Sequence, residues 1–177
     1  MSPSQVDSQA PDLAELDVAE LEAAIEARAV ERFHAHQIYR WIYRRGVTDV
    51  DRMTDLSRSL RDTLKADFTL RTPRVVGDER SADGTRKFLL ELADGRRIEA
   101  LFIPDTPSMT FCISTQVGCG MSCGFCLTGR MGLVRNLTAG EIAGQVRVLA
   151  AATQLLDQPF NIVLMGMANR CTSTRTR

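Results

Sequence analysis

Long apolar runs are missing from this 177-residue chain. No stretch reaches the roughly 18 consecutive apolar residues that a membrane-spanning helix needs, so no span is expected. The opening "MSPSQVDSQAPD" has neither a basic start nor an apolar core, which argues against a secretory signal. Internal repeats and low-complexity segments are also lacking, which excludes a solenoid or array. Net charge is zero, with 22 Lys and Arg against 22 Asp and Glu. The remaining composition, 44% hydrophobic and 25% charged, is globular and soluble in character, and with neither signal nor span a cytoplasmic location is expected. Its length suits one domain, or one small domain plus part of another. Disulfides are disfavoured in a reducing cytoplasm, so cysteines are read first as metal ligands or catalytic groups.

Basic residues are absent from one region and gathered in the next. Residues 1–27 carry seven acids and no Lys or Arg, whereas residues 28–65 carry nine Lys and Arg against five acids. The second stretch also holds Phe33, His34, His36, Tyr39, Trp41 and Tyr43. Composition favours a solvated helical surface over an aromatic core. The alternative is a basic, aromatic contact for nucleic acid.

Residues 1–12, polar and with two prolines, are expected to be disordered. Asp17 and Glu20 form a capping-box pattern ahead of Leu21 and Ile25, which predicts a helix over about 18–28. Ile38, Trp41 and Ile42 share one face of a second helix, about 34–45, ending at Gly46. A third, about 57–66, aligns Leu60 and Leu64. Beyond Pro73 the pattern changes. Two "ADG" turn signals separate β-rich runs, which predicts a meander with strands at about 74–80, 85–92 and 96–103. "MTFCISTQ" reads as a strand, followed by a Gly- and Cys-rich loop to about residue 136. Thr138 and Glu141 then cap a helix bearing Ile142, Val146 and Leu149, and "NIVLMGM" reads as a final strand. Strand, loop, helix and strand make a parallel βαβ unit, whose functional loops follow the C-terminal strand ends. The fold class is therefore α/β. It comprises a small N-terminal helical domain (13–70), then a β-meander and first βαβ unit (71–167), the start of a partial barrel.

Four of the five cysteines lie in "CISTQVGCGMSCGFC", spaced Cys112-x6-Cys119-x3-Cys123-x2-Cys126. A four-cysteine zinc site usually shows two separated C-x2-C knuckles, and only Cys123 and Cys126 form one. Cys119, Cys123 and Cys126 suit an iron–sulfur cluster better, because three close thiolates can meet one cubane and leave one iron open. Glycines at 118, 120 and 124 would let the backbone bend around it. On chemistry alone zinc and an inert thiol group stay open beside the cluster.

The C-x3-C-x2-C spacing with Phe125 before the last cysteine resembles the radical S-adenosylmethionine motif. The flanking "CISTQVGCGMSCGFCLTGRMGLVRNLTAGEIAGQV" and "NIVLMGM" are similar to the RlmN/Cfr-type family. So are "FHAHQIYRWIYRRGVTDVDRMTDLSRSLRDTL", the family's helical accessory domain, and "DGRRIEALFIP" ahead of its barrel. The resemblance covers about residues 16–167. It implies methylation of C2 of an adenine in 23S ribosomal RNA, with transfer RNA as a further substrate. Methylation at C8 is the rival within the family, and a non-catalytic zinc and RNA-binding module is the rival outside it. The resemblance implies a [4Fe–4S] cluster on Cys119, Cys123 and Cys126, whose open iron chelates S-adenosylmethionine and yields a 5′-deoxyadenosyl radical. Phe125 would pack near that cofactor. Glu99 matches the proton acceptor, and Cys112 the cysteine that resolves an RNA–enzyme adduct. Alone, a strand Glu is usually solvated and a strand Cys usually fills space. The partners expected are RNA and an electron donor, with the protein a monomer. C2 of adenine carries no useful nucleophile. The family therefore methylates a protein cysteine in its C-terminal region and adds the derived radical to the ring, the cofactor supplying the hard step.

After Met167 the family continues with Gly-Glu-Pro-Leu, whereas this chain reads "ANRCTSTRTR". Deleting one G after the Met167 codon of a family-like reading frame reproduces that tail and its stop. Residues 168–177 are accordingly expected to be out of frame, Cys171 to be an accident of frame, and the chain to be an inactive fragment.

Overall fold

The computed structural model describes residues 10–104, 108–121 and 123–167. Three helices come first: α1 (Val18–Glu26), α2 (Phe33–Tyr43) and α3 (Arg58–Asp67). The capping box at α1 forms as expected. Glu20 N–H donates to Asp17 at 2.8 Å, and Asp17 N–H donates back to Glu20 at 2.9 Å. Ser57 caps α3 by accepting from Leu60 N–H at 3.2 Å. Leu21 and Ile25 of α1, Ile38, Trp41 and Ile42 of α2, and Leu60 and Leu64 of α3 fill one core. Full burial of each aliphatic side chain contributes roughly 1.5–3 kcal/mol. Trp41 keeps its indole N–H satisfied by donating to Asp55.

Residues 1–9 lie outside the described residues. The disorder expected through residue 12 does not extend to its last members. Thr69 N–H donates to Pro11 O at 3.0 Å, and Leu13 N–H donates to Thr69 O at 2.8 Å. The partner lies more than fifty residues away, so local polarity alone gave no sign of it.

The sheet follows, with strands β1 (Arg74–Arg80), β2 (Arg86–Glu91), β3 (Arg97–Ile103), β4 (Thr110–Cys112) and, later in the chain, β7 (Asn161–Val163). Their order is β1-β2-β3-β4-β7; the first four run antiparallel and β7 pairs parallel to β4. Between β4 and β7 runs α5 (Ala139–Thr153), which completes the βαβ unit. Its Thr138–Glu141 capping box is present. Phe88, Leu90, Ile98, Ala100 and Phe111 form a second core with Val148 and Leu149 of α5. Register and alternation put Lys87, Leu89, Glu99, Leu101 and Cys112 on the opposite sheet face. Among the described residues the sheet ends at β7 and does not close into a barrel.

The stretch from Gln116 to Asn136 is not one long loop. β5 (Gln116–Gly118) and β6 (Leu133–Asn136) pair antiparallel as a separate ribbon, with the short helix α4 (Leu127–Arg130) between them. The two parts of the molecule meet along α5. Glu15 accepts from Gly140 N–H at 3.0 Å and from the Thr138 hydroxyl at the start of that helix. The buried Arg147 guanidinium donates to Arg71 O at 3.0 Å and, more weakly, to Val47 O at 3.4 Å.

Candidate cofactor and RNA site

The β5–β6 ribbon is the stem of the cysteine loop. Cys119 N–H donates to Gly132 O at 3.0 Å and closes that stem. Gly118 makes the closure possible: its φ is +75°, and a Cβ there would overlap the Gly132 carbonyl oxygen. Within the loop, Cys126 N–H donates to Cys123 O at 3.0 Å, and Cys126 then stands at the N-cap of α4. Cys119, Cys123 and Cys126 are all half-buried, whereas Cys112 is buried. Around the loop Met121, Leu127 and Met131 are exposed, and Phe125 is 95% exposed. Such a density of uncovered apolar side chains marks a face built to be covered.

Among the described residues no group of three or more His, Cys, Asp or Glu side chains is arranged to hold a metal ion. The loop therefore carries the three thiols together without gathering them onto a common point. The donor set still fits an iron–sulfur cluster. Three soft thiolates within one short glycine-bearing loop suit iron, and ligand gathering is coupled to metal binding.

Cys112 lies in β4, opposite Leu101 of β3 and beside Val163 of β7. Burial pushes its thiol up, while a backbone hydrogen bond from Met165 works the other way. Glu99 pairs with Leu89, and its carboxylate is 4.0 Å from the Lys87 ammonium. By register Glu99 and Cys112 are diagonal neighbours on one sheet face. The structure thus brings those two together on the main sheet and the three other thiols together on the ribbon loop. Cys171 lies outside the described residues.

Sequence reasoning missed the residues that join these pieces. Ser114, fully buried just past β4, donates its hydroxyl to Glu99 O at 2.7 Å and accepts from Met167 N–H at 2.9 Å. Gln145 of α5, also fully buried, accepts from Ser114 N–H at 2.9 Å and donates to Ser114 O at 2.8 Å. A Cβ on Gly166 would come within 2.6 Å of the Ser114 hydroxyl, so that position admits only glycine without displacement. A glutamine beside the apolar stripe of α5 was the available signal.

Arg40, Arg44 and Arg45 are exposed on and just after α2. Arg45 stacks its guanidinium 4.0 Å from the centroid of the Trp41 ring. Among the described residues no carboxylate forms an ion pair with any of the three.

The helical unit docked on an open α/β sheet, with a three-cysteine loop beyond the strand ends, is an arrangement shared with the first part of a solved radical S-adenosylmethionine methyltransferase. A solved radical SAM methyltransferase from Sphaerobacter thermophilus superposes with a TM-score of 0.81 at 41% identity, covering 89% of this chain and 47% of that one. The sequence profile of the ribosomal RNA large subunit methyltransferase N-terminal domain matches residues 11–70. The dual-specificity RNA methyltransferase RlmN of Marinobacter nauticus is 46% identical over 153 residues, 84% of this chain and 42% of its own length. That of Halorhodospira halophila is 46% identical over 158 residues, 88% of this chain and 43% of its own. The chain is a partial RlmN-like protein, and it spans less than half the length of these relatives. No helix among the described residues is long and apolar enough to cross a membrane.

Proposed function

We propose that the chain carries the cofactor-loading and RNA-docking parts of a radical SAM enzyme that methylates C2 of an adenine in 23S ribosomal RNA and in transfer RNA. The observation that carries this reading is the Cys119-x3-Cys123-x2-Cys126 loop, held on its own ribbon beyond the strand ends of an RlmN-like fold. Cys119, Cys123 and Cys126 would hold a [4Fe–4S] cluster. With S-adenosylmethionine and an external electron donor, such a cluster supplies one-electron chemistry able to functionalise an electron-poor ring carbon.

The chain's own residues have separate tasks. Glu99 presents its carboxylate on the sheet face away from α5, where it accepts a proton from the substrate. Cys112 shares that face and resolves a covalent adduct between RNA and enzyme. Its burial keeps the thiol protonated until it is needed. Phe125 and its apolar neighbours close around the bound cofactor and exclude water. Arg40, Arg44 and Arg45 meet the RNA backbone, with residues 13–70 acting as the RNA-docking domain. The protein works as a monomer.

Anaerobic loading with ferrous iron and sulfide tests this. The expected product is a brown chain with about four irons and four sulfides, lost when Cys119, Cys123 or Cys126 is changed to Ala and kept in Cys112→Ala. A colourless chain with one tightly held zinc refutes the cluster. A cluster that survives replacement of any of the three cysteines refutes the ligand assignment.

A further inference from the structure

The ribbon beneath the cysteine loop is packed on one strand only. The three residues of β5 are buried, with Val117 in the second core, whereas β6 has no buried residue and exposes Leu133 and Val134. A short strand with no buried face of its own is marginal in water without a further anchor. Arg135 lies opposite Val117, two residues from Cys119. Its Nε and Nη2 donate to Asp94 Oδ2 in the β2–β3 turn, at 3.0 and 2.8 Å. Its Nη1 and Nη2 donate to the two oxygens of Glu141 in the first turn of α5, at 2.7 and 2.8 Å. Nη1 also donates to Asn136 O at 3.1 Å. Glu141 accepts in addition from Thr138 N–H at 3.0 Å, so this carboxylate is itself fixed to the helix end. A planar guanidinium shared between two carboxylates imposes an orientation that a single ion pair does not.

We propose that Arg135 is the positioning residue for the cysteine loop: by clamping the ribbon to the β2–β3 turn and to the start of α5, it sets where Cys119, Cys123 and Cys126 stand relative to the main sheet. This rests on the reading of those cysteines as cluster ligands. Arg135 acts through the stem, where its strand pairs with β5 and Cys119 N–H closes on Gly132. Glu99 and Cys112 belong to the main sheet, so rotation of the ribbon moves all three loop cysteines together against them.

The test uses the 177-residue chain and its Arg135→Lys, Arg135→Ala and Asp94→Asn variants. Lysine keeps the charge and loses the fork. Amide exchange in peptides covering residues 116–119 and 133–136 should quicken roughly tenfold in Arg135→Ala and by less in Arg135→Lys. Peptides from α2 and β2 should be unchanged. Variants loaded with iron and sulfide should lose iron to a chelator faster, and the electron paramagnetic resonance spectrum of the reduced cluster should shift, which loss of global stability alone does not cause. Unchanged ribbon exchange, or equal loss of protection in every peptide, overturns the positioning role. Iron uptake by the unsubstituted chain judges the cluster separately: a chain that takes up none refutes that reading, while ribbon exchange still decides the role of Arg135.

Discussion

Replacing Gln145 by Leu should destabilise the sheet far more than an ordinary helix substitution. The side chain is fully buried, and its amide satisfies both the N–H and the C=O of Ser114, at 2.9 and 2.8 Å. Leucine fills a similar volume and leaves both backbone groups unpaired. Each buried unpaired group costs about 1–3 kcal/mol. Burying an apolar side chain instead of an amide offsets about 1 kcal/mol of that. The net loss is then about 1–5 kcal/mol, a large share of the roughly 5–15 kcal/mol that holds a typical domain. In urea, with a slope of about 1–3 kcal/mol per molar, the circular-dichroism midpoint should fall by about 1–2 M. The Gln145→Glu variant sharpens the test. Its buried carboxyl would have a folded pKa above the unfolded value, so its penalty is absent below the unfolded value and grows as pH rises through the folded one. Below about pH 4 the protonated acid both donates and accepts, and its midpoint should approach that of the unsubstituted chain. A Gln145→Leu chain within about 0.5 kcal/mol of the parent would refute the reasoning.

Three further outcomes follow from the geometry. Gly118→Ala puts a side chain at φ +75° against the Gly132 carbonyl; it should cost about 1–3 kcal/mol and loosen the loop that carries the exposed Arg130, read as faster tryptic cleavage there. Burial alone would raise the Asp94 and Glu141 carboxyls, but hydrogen bonds from Arg135 and nearby N–H groups bring both below their ordinary values. Their stabilising effect is therefore present above the unfolded carboxylate range and lost as pH falls through the depressed folded values; acid titration of Arg135→Ala, followed by amide exchange of the ribbon, should show a weaker dependence than the parent. Reversing Arg40, Arg44 and Arg45 to Glu should weaken RNA binding and flatten its dependence on salt, measured as the slope of log affinity against log salt; an unchanged slope would rule out that surface.

The helices were legible because their signals are local. Asp17 with Glu20, and Thr138 with Glu141, announce helix starts within four residues, and Ile38, Trp41 and Ile42 repeat at helical spacing. The meander was legible from its two ADG turns and from the alternation around Phe88 and Leu90. The ribbon was not, because β5 is three residues long and a two-residue period needs more to declare itself. Pro11 and Asp12 were misread for a different reason: what holds them is Thr69, which local composition does not reveal. The cysteine spacing pointed to one loop, and the structure keeps Cys119, Cys123 and Cys126 on it. It did not indicate the stem, or Arg135, or the Ser114–Gln145 pair, since each depends on partners brought together by the fold. Glu99 and Cys112 came from resemblance alone, and their common sheet face emerges only from the β3–β4 register.

α5 touches the helical unit near its start through Glu15 and further along through Arg147, and just beyond its end Leu156 sits against Gly46. Its fifteen residues make a rod of about 22 Å. On the proposed function, a polyanion held by Arg40, Arg44 and Arg45 would meet the cysteine loop at a gauge set by one rod, where a flexible tether would leave it to search. Selection among RNA sites would then be a matter of reach: an adenine would qualify only if its backbone fitted the grip while its base extended that fixed span.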